Sequence, residues 1–192
     1  VYLVRIITII SALKIMNTHS PGQTASGIIR VLGFAGLIPF LLPVLLMIQG
    51  VLSAKGFQSA SLFGLYAPYM FITYSAIILS FLCGALWGKA VSGDCRQSAN
   101  AVLIFSNLIA LSAWSCTLLI YLAPIMSIFA LALLLAGFLA VLFCEREFEQ
   151  IRGQQGSEKD FRESGYWKMR VQLTALVCLL HLIVITLMIQ EF

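Results

Sequence analysis

Charged residues are absent from positions 31–54, 56–88, 97–144 and 171–190, and within these windows apolar side chains recur on every helical face. An α-helix rises about 1.5 Å per residue and the hydrocarbon layer of a bilayer is about 30 Å thick, so about 20 residues cross it. As one helix the window 97–144 would run about 72 Å, far too long for one crossing. Pro124 divides it. The pattern therefore predicts five spans, at 31–52, 69–88, 101–121, 125–143 and 171–190. Membrane strands would be about 10 residues of alternating polarity, which these runs are not. The predicted fold is an all-α integral membrane protein, a bundle of five transmembrane helices. Residues 1–30 form an N-terminal cytoplasmic or in-plane segment, 31–192 the membrane domain, and 144–170 a charged cytoplasmic connector.

Composition strengthens this reading. Of 192 residues, 60% are apolar and 10% charged, against about 45–50% and about 25% in a soluble domain. Lys and Arg set the orientation, because short basic segments resist translocation. Arg5, Lys14, Arg30, Lys89, Arg96, Arg146, Arg152, Lys159, Arg162, Lys168 and Arg170 fall on one side of a five-span chain, and Lys55 alone on the other. The N-terminus is expected in the cytoplasm or matrix and the C-terminus outside. A bacterial inner membrane, or the mitochondrial inner membrane in a eukaryote, is the expected location. The formal charge of +4 then reflects topology. Basic residues flank the spans and mix with acids, so nucleic acid is not an expected partner.

Within the connector, Glu145 to Lys168 balances acids against bases, and Gly153 and Gly156 should interrupt any helix extending the fourth span. It reads as a solvated connector, with a docking surface as the alternative. Tyr166, Trp167, Lys168 and Arg170 resemble an interfacial aromatic belt with snorkelling cations. Residues 1–15 are apolar but too short to cross; they read as an in-plane helix or as residues upstream of a start at Met16.

Candidate chemistry is sparse. Cys83, Cys95, Cys116, Cys144 and Cys178 show no C-x-x-C spacing, which suggests free thiols rather than zinc or a redox pair. His181 is the one titratable group expected near the middle of a span, a functional suspect on that ground. The plainer expectation is a neutral imidazole bonded to a hydroxyl on a neighbouring span. No span contains Asp or Glu, and no nucleophile–base constellation or phosphate-binding glycine pattern occurs. Neither an enzyme nor a cofactor is predicted.

In the first span, Gly33, Gly36, Pro39 and Pro43 crowd one half. Each proline removes a donor and clashes with the carbonyl four residues earlier, so the Ala35 and Pro39 carbonyls should be left unpaired, either at a kink satisfied by neighbours or at a polar site of the kind broken helices form. The second span carries Ala76, Ser80, Gly84 and Gly88 at four-residue spacing, and the fourth carries Ala132, Ala136 and Ala140. Both are small-residue faces suited to close helix approach, which makes the two helices expected partners. Polar residues of the third span, among them Ser106, Asn107, Ser112, Trp114, Ser115 and Thr117, suggest a place inside the bundle, although hydroxyls can also bond back to their own helix.

Leu32-Gly33-Phe34-Ala35-Gly36-Leu37-Ile38-Pro39-Phe40 resembles the first-span signature of the uncharacterised membrane family that includes mitochondrial transmembrane protein 69 and many bacterial proteins. Tyr74-Ser75-Ala76-Ile77-Ile78-Leu79-Ser80-Phe81-Leu82, continuing through Gly84 to Trp87-Gly88, resembles that family's second-span motif. Ala113-Trp114, Gly137-Phe138 and Leu173-Thr174 are fainter echoes. Ile109 departs from it by replacing a proline, and Tyr166-Trp167 by reversing an aromatic pair. The resemblance implies a multi-span inner-membrane protein with no established activity.

The residues thus point first to a non-enzymatic accessory or assembly factor that packs with other membrane proteins or itself. The alternative is an oligomeric small-solute or ion transporter or channel using the broken first span, Asn107, Trp114 and His181.

Overall fold

The computed structural model describes residues 21–53, 60–92, 96–122, 124–153 and 161–190, without the side chains of 21–26, 96–98, 124, 151–153 and 161–164. The expectations for residues 1–15, Lys55 and Cys95 lie outside the described residues. The chain divides into two units, 1–35 and 36–192. In the first, α1 covers Pro21–Ala35. The second holds α2 (Ile38–Leu52), a two-stranded hairpin of β1 (Ser61–Leu62) and β2 (Leu65–Tyr66), then α3 (Ala67–Ser92), α4 (Arg96–Leu119), α5 (Pro124–Gly153) and α6 (Phe161–Gln190). Five segments are long and apolar enough to cross a membrane: Gly27–Leu52, Ala67–Ser92, Ala99–Leu119, Ile125–Gln150 and Gly165–Gln190.

The prolines explain where α2 begins. Pro39 occupies its first turn, where a missing N–H breaks no helical bond. Leu37 O there accepts from Phe40 N and Leu41 N, both at 3.0 Å. Pro43 lies inside the helix, buried. In the hairpin, Ser61 pairs with Tyr66 and Leu62 with Leu65. Its two turn residues, Phe63 and Gly64, both have positive φ, 52° and 78°, as the tight turn matching strand twist requires.

α3 is the central helix of the second unit, packed against α2, α4 and α5; α5 also packs on α4 and α6, and α6 on α2. The buried positions repeat every seven residues. On α3 they are Ile72, Leu79 and Leu86 with Ala76, Cys83 and Ala90. On α5 they are Ser127, Leu134, Val141 and Phe148 with Leu131, Phe138 and Glu145, and on α6 Arg170, Val177 and Val184 with Thr174, His181 and Met188. A seven-residue repeat averages 3.5 per turn, the spacing that keeps a seam facing its partner along a left-handed helix pair.

Three expectations are corrected. The small-residue faces are not the contact between the second and fourth spans. Gly84 and Gly88 are exposed, with no described residue within 4 Å of a Cβ built on either, and Ala132 and Ala136 are exposed too. Those helices do pack, but through Gly137, whose added Cβ would lie 2.6 Å from Leu79 Cδ2. The third span is not wrapped by the others. Trp114 is 59% exposed and Asn107 is exposed, because the α4 polar groups are satisfied by their own helix and need no interior partner. The connector 144–170 is not simply solvated. α5 runs on to Gly153 and α6 begins at Phe161, and both ends of the connector are drawn into the bundle, Glu145 at 5% and Arg170 at 7% exposure.

Candidate functional site

Two levels of the second unit hold polar groups, an ion cluster and a buried imidazole, and α6 contributes to both. Near the charged end, Glu145 of α5 lies between a lysine from α3 and an arginine from α6. Lys89 Nζ donates to Glu145 Oε1 at 2.5 Å and Arg170 Nε to Oε2 at 3.0 Å. Each carboxylate oxygen thus has its own cation. Lys89 also reaches Glu149 Oε1 at 3.3 Å and sits 5.2 Å from the centre of the Tyr166 ring. Glu145 and Arg170 are buried, while Lys89 keeps a third of its side chain exposed. The placement of Arg170 corrects the expectation that it snorkels outward. Beside the cluster is a small apolar core of Leu86, Ala90, Ala99, Val102 and Phe148.

Eleven residues along α6 from Arg170, His181 is fully buried. Three phenyl rings surround it: Phe71 at 4.8 Å, Phe138 at 5.4 Å and Phe40 at 6.3 Å between ring centres. The expected hydroxyl partner on a neighbouring span is replaced by the helix's own backbone. Nδ1 lies 2.8 Å from Val177 O. A carbonyl only accepts, so this contact assigns the proton to Nδ1 and leaves Nε2 a bare acceptor. Among the described residues Nε2 has no hydrogen-bond partner, and neither do the buried hydroxyls of Thr174 and Ser127.

The break in the first span meets this centre through one aromatic residue. Tyr74 of α3 donates its hydroxyl to Gly36 O at 2.9 Å, so the carbonyl given a neighbour is Gly36 rather than Ala35 or Pro39. The ring of Phe40 packs on Tyr74 at 4.8 Å and on Phe71 at 5.5 Å. Pro43 is buried, Pro39 faces outward and Gly33 belongs to α1 in the first unit.

Asn107 and Trp114 do not join His181. Asn107 Nδ2 donates to Leu103 O, and the hydroxyls of Ser106, Ser112, Ser115 and Thr117 each donate to a carbonyl three or four residues back on α4. Ala76 is buried in the α3 seam, Ser80 and Ala140 are half-buried, and Gly84, Gly88, Ala132 and Ala136 face outward. Cys83, Cys116, Cys144 and Cys178 are free thiols. Among the described residues, no group of three or more His, Cys, Asp or Glu side chains could hold a metal ion.

The ion cluster escaped the sequence reading because its members flank charge-free windows and look like ordinary boundary residues. A signal was present: Glu145 is seven residues from Phe138 and Arg170 seven from Val177, so both continue a buried register.

No curated protein and no solved structure matches the chain. Residues 25–186 match a family described as protein of unknown function (DUF3429), and the chain belongs to that family.

Proposed function

We propose that this multi-pass membrane protein is a non-enzymatic accessory or assembly factor, packing with other membrane proteins or with a second copy of itself. The outward stripes of α3 and α5 carry the reading: Gly84, Gly88, Ala132 and Ala136 offer smooth exposed backbone while the contacts among the described residues use other faces. In lipid, apolar surface alone supplies little drive for association, and close backbone approach matters more. The lysine and arginine count supports a cytoplasmic or matrix N-terminus and an outer C-terminus in a bacterial or mitochondrial inner membrane. The first- and second-span signatures support kinship with mitochondrial transmembrane protein 69. Extraction in mild detergent followed by crosslinking from position 84 or 136 tests the role: adducts with a second chain are expected, and a monomer with no partner would overturn it.

One observation favours an oligomeric solute or ion pathway instead, the unpartnered Nε2 of His181. Against it, Asn107 and Trp114 face away from that centre. Proteoliposome flux that survives substitution of Pro39, Asn107 and His181 removes this second reading.

A further inference from the structure

The unpartnered atoms of α6 are ordered. Arg170, Thr174 and His181 lie on its buried face, separated by about 6 Å and about 10 Å along the axis at about 1.5 Å per residue. Arg170 belongs to the ion cluster, whereas Thr174 Oγ1 and His181 Nε2 have no partner among the described residues.

α3 supplies a third group. Phe71 lies beside His181, and Lys89 beside Tyr166, so α3 runs antiparallel to α6. Ser75, one turn beyond Phe71 toward the cluster, falls at the level between His181 and Thr174. It is fully buried, and its hydroxyl donates to Phe71 O at 2.7 Å, leaving oxygen lone pairs free to accept. On the other side of His181 the α6 seam continues with Val184 and Met188, and α2 adds Val44 and Met47, all buried and apolar.

An acceptor or hydroxyl left alone in a protein interior costs about 1–3 kcal/mol, and internal water bonded to two or more polar groups removes that cost. We infer that Thr174, Ser75 and His181 line a file of internal water that opens at the Lys89–Glu145–Arg170 cluster, so that water and protons reach His181 from the charged end of the bundle alone. The proton step is balanced: a hydronium gives its proton to Nε2, an N–H bond forms as an O–H bond breaks, and the products are an imidazolium and water. The titratable groups facing His181 are few. α2 presents Phe40 and α5 Phe138; α3 has the Tyr74 phenol, committed to Gly36 O, and α6 has Cys178 and, further along, Arg170. The inference is independent of the packing role proposed above.

Solid-state NMR of the full chain tests it, with ¹⁵N-labelled histidine and the protein reconstituted in phosphatidylethanolamine–phosphatidylglycerol vesicles. His19→Gln removes the other histidine signal. Magnetisation is transferred from water to the imidazole. Transfer to His181 is expected in the otherwise unchanged chain, a several-fold fall in Thr174→Val, recovery in Thr174→Ser, and no change in Ser127→Ala. Thr174→Val keeps the side-chain shape, and an unchanged Nδ1–H signal shows that the fold survives. An imidazole that receives nothing from water, or that responds to Ser127→Ala and not to Thr174→Val, overturns the inference.

Discussion

The charged end of the bundle and its aromatic middle place polar side chains in the same seam with opposite outcomes. At the charged end, Glu145 meets Lys89 and Arg170 from two other helices. In the middle, His181 meets three phenyl rings and its own backbone, and one ring nitrogen stays bare. Glu145 and Arg170 are buried as His181 is, so burial alone does not distinguish a clasp from a site. The completeness of the partner set does. A closed set joins helices. An open one is a group that can still accept.

The largest effect is expected where the closed set is opened. Glu145→Leu leaves two cations facing each other, one of them buried. Removing one partner of a buried ion pair costs about 3–5 kcal/mol, toward the lower end here because Lys89 can turn to water. Unfolding of the purified protein in mixed micelles should register that loss, and a change below about 1 kcal/mol would show that the cluster is not a clasp.

Next in size is the close apolar contact of Gly137 with Leu79. Gly137→Leu drives a side chain into the space held by Leu79 Cδ2. Overpacking of this kind costs about 1–3 kcal/mol. Because Leu79 is itself fully buried, pairing Gly137→Leu with Leu79→Ala should recover much of the loss. Additive effects in the double variant would contradict the contact.

These contrasts also show how much the sequence disclosed. The five segments were legible because lipid demands about 20 uninterrupted apolar residues, and Pro39 marked the restart of the first one. Which face of each helix turns inward was not, since a lipid-facing surface is as apolar as a buried one. The second-span stripe illustrates the difficulty. At 3.6 residues per turn, a four-residue step drifts about 40°, so from Ala76 to Gly88 the stripe rotates about 120°. Ala76 is consequently buried and Gly88 exposed. The seven-residue repeat through Ile72, Leu79 and Leu86 drifts only about 20° per step and stays in the seam. Polar residues misled in the same way. Asn107 and the α4 hydroxyls suggested an interior helix, yet each bonds to its own backbone, whereas Glu145 and Arg170 looked like boundary charges and lie inside.

A smaller effect is expected where the partner set is already open. His181→Phe exchanges an imidazole with an unpartnered nitrogen for a ring like its three neighbours. The variant removes a buried polar atom at the cost of one bond to Val177 O, a carbonyl its own helix can also satisfy. Stability should change by less than about 1 kcal/mol in the same unfolding assay, because internal water at Nε2 would already offset the cost of a bare acceptor. A large loss would mean that Nε2 has a strong partner in the membrane, and would move His181 into the class of Glu145.

The smallest effect on the isolated chain is expected at Gly84. No described residue lies within 4 Å of a Cβ there, and a helical glycine replaced by leucine gains intrinsic helix propensity. Gly84→Leu should therefore unfold within about 0.5 kcal/mol of the parent chain, as exposed substitutions usually do. The same leucine would hold a neighbouring helix away from the Gly84–Gly88 surface, where close approach needs small residues. Loss of crosslinked partner together with unchanged unfolding would locate the stripe outside the fold and inside an assembly. Unchanged crosslinking would leave that surface facing lipid and remove the ground for the assembly role, while a destabilised monomer would mean that the stripe packs within the chain after all, as Gly137 does.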